Sequence, residues 1–155
     1  MSTVFTVSQQ VSTDMIDHNN HMHDSHYNHI FSDIINQFNY AHGLSLEERK
    51  TLSYTMFTAE EQTSYLQELK LDETYTVKLY LYDYDVKRAH FFAFMYKQDD
   101  TLAATNEAMM LGIDRNTNKV SPFPQQYYQQ LEQYYAQQPT INWPKQLGHR
   151  IGIPK

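Results

Sequence analysis

An α+β fold, one antiparallel sheet curled around a single long helix, is what this sequence predicts, and three observations carry that prediction. Tyr27, Ile30, Phe31, Ile34, Ile35, Phe38 and Ala41 recur at i, i+3, i+4, i+7, i+8, i+11 and i+14, one continuous apolar stripe on an α-helix. Tyr75, Val77, Leu79 and Leu81 alternate with Thr76, Lys78, Tyr80 and Tyr82, the two-residue period of a strand with one apolar and one tyrosine-rich face. The order strand, long helix, four strands, terminal helix leaves the sheet one way to hide its apolar face, which is to wrap around that helix.

The elements come in this order. Residues 3–11 are β-prone, with Phe5, Val7 and Val11 on one side. The helix is expected over residues 24–42: Asp24 and Ser25 offer oxygens to the free amides of its first turn, and Gly43 supplies a left-handed stop. Ser45 and Glu48 have the spacing of a capping box that starts a short helix ending near Thr51. A long strand, bulged in its alternation, is expected over residues 54–68. Strands over residues 75–82, 90–96 and 102–113 then form a meander, with turns at 83–88 and 98–100. Residues 114–119 make a polar turn, and Pro122 and Pro124 break regular structure. Residues 125–138 read as a helix with Tyr127, Tyr128, Leu131 and Tyr135 inward, and the tail from Pro139 is expected on the surface or across a subunit boundary.

The 155 residues suit a single domain spanning residues 1–155. A formal net charge of −6, with no lysine or arginine run longer than a pair such as Lys87-Arg88, argues against a nucleic-acid partner. The absence of cysteine removes disulfides and thiolate chemistry together. No apolar run could cross a bilayer and the first residues lack a signal-peptide pattern, so no membrane partner and a cytoplasmic location are expected. Thirteen tyrosines suit half-buried strands, subunit interfaces and cation pockets alike.

The loop before the long helix carries the chemistry. His18, His21, His23, His26 and His29 suggest a metal site, but His26 and His29 share a helical face with no third ligand at a repeating spacing, and no H-E-x-x-H frame exists. No metal and no cofactor is therefore expected. Asp17, Asn19 and His21 stand at the positive end of the helix. A carboxylate beside free amides there suits reactions in which a carbonyl oxygen gains charge, although such residues more often serve as caps and turn formers.

The run Asp17-His18-Asn19-Asn20-His21-Met22, followed five residues later by Tyr27, resembles the D-x-N-G-H-M signature of hotdog-fold acyl-CoA thioesterases of the 4-hydroxybenzoyl-CoA thioesterase-like family. Thr58-Ala59-Glu60, Lys87-Arg88-Ala89-His90, the run Leu102 to Met109, Ile113-Asp114 with Pro122, and Gly148-His149-Arg150-Ile151-Gly152 extend the likeness over nearly the whole chain. This set is similar to the thioesterase domain associated with L-carnitine dehydrogenase, which implies betainyl-CoA as substrate. Two positions depart from the family pattern: Met15 stands where an earlier aspartate is usual, and Asn20 replaces a glycine.

The resemblance implies hydrolysis of an acyl-CoA by a homo-oligomer, a dimer or higher, with its site between subunits. The carboxylate role then falls to Asp17, with Glu60 as partner across the groove between helix and sheet. His21 and Asn19 would orient water or the thioester, and the amides of His23 to Ser25 would hold the oxyanion. Lys87 and Arg88 would meet the CoA phosphates, and Tyr27 would line the acyl site. Tyr65 or Tyr80, with Glu107, would attract a trimethylammonium group. A non-catalytic acyl-CoA-binding module is the alternative, and a histidine-cluster metal hydrolase a third reading.

Overall fold

In a computed structural model, which describes residues 3–155, the long helix forms where the apolar stripe places it. Helix α1 (Asp24–Ala41) buries Tyr27, Ile30, Phe31, Ile34, Ile35 and Phe38. Its N-cap is His23 rather than Asp24: the His23 Nδ1 accepts from the Ser25 amide at 3.2 Å, the job a short oxygen-bearing side chain usually does. Gly43 leaves the helix at φ +105°, a conformation only glycine adopts cheaply. Helix α2 (Leu46–Leu52) opens on a complete capping box between Ser45 and Glu48.

Strands β1 (Phe5–Gln10), β2 (Tyr54–Tyr65), β3 (Thr74–Tyr84), β4 (Arg88–Lys97) and β5 (Leu102–Asp114) form one antiparallel sheet in the order β1-β3-β4-β5-β2. A two-residue strand β6 (Lys119–Val120) pairs with β5. The inner face of the sheet, with Val77, Leu79, Leu81, Phe91, Met95, Ala104 and Ala108, packs on α1 as one core. This is the hotdog arrangement. It arises because one apolar helical stripe and one apolar sheet face satisfy each other.

Strand β2 carries the expected bulge. Thr58 pairs with Met110 while Glu60 pairs with Met109, so Ala59 is extra and the alternation of faces reverses there. Met56 and Thr58 face α1 before the bulge, and Glu61, Thr63 and Tyr65 share that side after it. Glu60 and Gln62 therefore face away from the helix.

Helix α3 (Gln125–Gln137) buries Tyr127 and Leu131, but the third inward tyrosine is Tyr134 and not Tyr135. Residues 127, 131, 134 and 138 follow the 3.6-residue period, and Tyr135 falls off it to lie 45% exposed beside Tyr84. Tyr134 accepts from the Phe5 amide at 2.7 Å and donates to the Leu79 carbonyl, tying α3 to β1 and β3. Beyond α3 the tail lies on the outer face of the sheet, where Ile141, Trp143 and Leu147 cover Tyr80, Phe92 and Phe94. Among the described residues no helix is long and apolar enough to cross a membrane.

Candidate active site

The loop ahead of α1 is shaped by one carboxylate. The Asp17 Oδ1 accepts from the Asn19 amide at 2.8 Å and the His21 amide at 3.3 Å, while the Asp17 amide donates to the His21 carbonyl at 2.9 Å. The reversal needs a left-handed residue, and Asn20 supplies it at φ +61°, which asparagine tolerates better than most side-chain-bearing residues. Met22 donates to the Leu69 carbonyl at 2.7 Å and Leu71 to the Asn20 carbonyl at 3.0 Å, so the loop is docked on the connection between β2 and β3. The hydrogen bond from the Asn19 amide, ahead of the neighbouring imidazoles, holds the Asp17 carboxyl below the usual aspartate range.

Between this loop, the start of α1 and the end of β2 lies a cleft of about 460 Å³. Asp17, Asn19, His21, Tyr27 and Tyr65 all line it, together with Asp24 and Glu68. The His21 Nδ1 sits 3.1 Å from Glu68 Oε2, which leaves Nε2 as the ring's other proton site. Tyr27 and Tyr65 meet edge to face at 5.3 Å. The Tyr27 hydroxyl accepts from the buried Leu69 amide at 3.1 Å, and Tyr65 donates to the Asp24 carbonyl at 3.1 Å. Burial raises both phenols, so they stay neutral. Three carboxylates and no lysine or arginine stand around this cleft.

Several expected residues are elsewhere. Glu60, turned outward by the bulge, does not meet Asp17 within the chain; it lines a second cleft of about 490 Å³ on the outer face, with His90, Glu107 and Met109. Glu107 is held there by His90 Nε2 at 2.7 Å and by the Gly148 amide at 2.7 Å. Tyr65 pairs with Ala104 on the inner side, so Tyr65 and Glu107 cannot share a cation pocket within the chain. Tyr80 lies on the Glu107 side but is sealed at 7% exposure, packed against Trp143 and Phe94.

Lys87 and Arg88 open β4 at the far end of the sheet. Arg88 pairs with Leu111 and Tyr65 with Ala104, seven positions apart along β5 or about 23 Å. Arg88 is also bound to Asp85, with Nε 2.7 Å from Oδ2. Of the three amides expected to hold an oxyanion, that of His23 donates to the Met15 carbonyl, and that of Ser25 to His23 and Asp24. Among the described residues only the Asp24 amide of the three has no partner.

The five histidines disperse. His21 turns to Glu68, His23 caps the helix, and His26 and His29 lie against each other at 5.4 Å. Among the described residues no three histidine or acidic side chains come together as a metal-ligand set. Sequence reasoning missed the side chains of Glu68 and Asp24 as walls of this cleft. Glu68 lies in a connection with no local pattern, and its meeting with His21 depends on the docking of two loops.

The sequence profile of the thioesterase-like superfamily matches residues 11–131. The chain belongs to that superfamily. It is 26% identical to a betainyl-CoA thioesterase of Pseudomonas aeruginosa over 99% of this chain and 98% of that protein. It is also 26% identical to the L-carnitine dehydrogenase/betainyl-CoA thioesterase of Rhizobium meliloti, of whose length it spans 29%. Among solved structures, a Staphylococcus aureus protein in complex with CoA superposes with a TM-score of 0.98 at 56% identity, covering 99% of this chain and 98% of that one.

Proposed function

We propose that this thioesterase-superfamily member hydrolyses an acyl-CoA whose acyl group is cationic, with betainyl-CoA as the type, at the cleft beside the start of α1. The observation that carries the reading is the lining of that cleft: His21 held by Glu68, Asp17 fixed as an anion, and tyrosines with three carboxylates and no lysine or arginine. Aromatic rings and carboxylates attract a quaternary ammonium, and the Pseudomonas aeruginosa relative acts on such an acyl group. The Staphylococcus aureus structure with CoA supports the same ligand class.

In this reading water attacks the thioester carbonyl and His21 Nε2 takes its proton. Glu68 orients the ring, and the Asp17 and Glu68 charges stabilise the imidazolium that forms. The Asp24 amide, at the positive end of α1, faces the developing oxyanion, and CoA leaves as the thiolate. Asn19 positions the water through the loop that Asp17 holds.

The protein is further read as a homodimer. Strand β2 is a twelve-residue edge with its outer side unpaired among the described residues, and a two-fold axis normal to the sheet would extend the sheet through it.

The test is release of free CoA across an acyl-CoA panel. Wild type should favour betainyl-CoA over neutral and anionic acyl groups of equal size. His21→Ala and Asp17→Ala should each lose about a hundredfold or more in kcat, and Glu60→Ala should stay near wild type. Binding of CoA without turnover of any substrate would leave a binding module instead.

A further inference from the structure

The C-terminal tail runs across the outer face of the sheet in a definite direction. Trp143 packs on Tyr82 of β3 at 5.0 Å and on Phe92 of β4 at 6.0 Å. Gly148 donates to Glu107 of β5 at 2.7 Å, and the His149 carbonyl accepts from Gln62 of β2 at 2.9 Å. The tail thus crosses β3, β4, β5 and β2 in their spatial order and is tied at the sheet's edge. Past that tie two apolar side chains stand bare: Ile151 is 80% exposed and Ile153 81%, more than any other large hydrophobic among the described residues.

An apolar patch of the right kind lies on the same face of the same strand. Phe57, before the bulge, points outward beside its β5 neighbour Leu111 and is 47% exposed. Gln62 and Phe57 are equidistant from the centre of β2 (Tyr54–Tyr65). If two copies meet antiparallel about the midpoint of β2, the strand position that anchors the tail in one copy comes opposite Phe57 in the other, with both on the outer face. Hydrophobic segments left at such exposure are stabilised by covering one another.

We propose that residues 151–155 form an arm that leaves the edge of its own sheet at Gln62 and seats Ile151 and Ile153 on Phe57 and Leu111 of a second copy of this chain. The contact is isologous, so each dimer has two arms. It rests on the β2-edge dimer proposed above. Its own content is the destination of the tail, which also holds Arg150 beside the outer-face cleft next to the boundary between copies.

The chain has no cysteine, so engineered pairs give an unambiguous reading. Ile151→Cys protein with one tag and Phe57→Cys protein with another are co-expressed, oxidised, and separated under non-reducing conditions, while sedimentation of the wild type reports its mass. A dimer with a mixed-tag disulfide, absent for a Lys50→Cys partner, is the expected result. Truncation after Arg150 should also raise the dimer dissociation constant by about one to two orders of magnitude. A dimer that forms no mixed disulfide and keeps its dissociation constant on truncation overturns the arm and leaves the dimer intact. A monomeric wild type overturns both.

Discussion

The division of labour between His21 and Glu68 makes a quantitative prediction. The two side chains are 3.1 Å apart, with 28% of His21 and 70% of Glu68 exposed, so solvent screens the pair strongly. Exposed ion pairs contribute about 0.2–1 kcal/mol, and at about 1.4 kcal/mol per tenfold in rate Glu68→Gln should lower kcat/KM by about 1.4-fold to fivefold. His21→Ala removes the proton acceptor itself and should cost about 10²–10⁴-fold. The assay is continuous capture of released CoA by a thiol reagent, to which a protein without cysteine adds no background. The Glu68→Gln deficit should shrink in 1 M salt, where the Debye length of about 3 Å matches the separation, while the His21→Ala deficit should not. Equal losses in the two variants, or a His21→Ala enzyme within threefold of wild type, would refute the reasoning.

The geometry sets three further outcomes. Tyr27→Phe removes the acceptor of the buried Leu69 amide, which should cost about 1–3 kcal/mol and lower Tm by about 3–10 °C; an unchanged melting curve would mean that the amide finds another partner. Gly112→Ala would place a Cβ 1.8 Å from the Tyr54 hydroxyl and 2.9 Å from the Ser121 carbonyl oxygen, displacing the Tyr54–Ser121 hydrogen bond. A loss of about 2–4 kcal/mol on denaturant titration is expected, from overpacking and the broken bond together. Asp17 has its folded-state titration depressed by the Asn19 amide, so its stabilising effect is complete above the ordinary aspartate value of 3.8 and is lost as pH falls below it. The stability difference between wild type and Asp17→Asn should therefore hold steady from pH 7 to 5 and narrow below about pH 4, and a gap that widens there would reverse the assignment.

Much of this was legible because the controlling patterns are local. The stripe from Tyr27 to Ala41, the Ser45–Glu48 box and the alternation from Tyr75 to Tyr82 each specify an element from a few neighbouring side chains. The loop from Asp17 to Met22 was readable for the same reason, since the hydrogen bonds that the Asp17 carboxylate accepts close within four residues. His23 as the helix cap, and Tyr134 in place of Tyr135, show where single-residue offsets decide the outcome.

The sequence alone therefore determined one long central helix, two lesser ones, one sheet, the order of their segments and a polar loop at the mouth of the long helix, because periodicity and turn chemistry act between near neighbours. Only the tertiary structure decided which side chains share a cleft. One extra residue at Ala59 turns Glu60 away from Asp17, and the docking of the connection between β2 and β3 brings Glu68 to His21. The length of β5 separates Arg88 from Tyr65. Each of these depends on register and on the meeting of distant segments, which no local run of residues encodes.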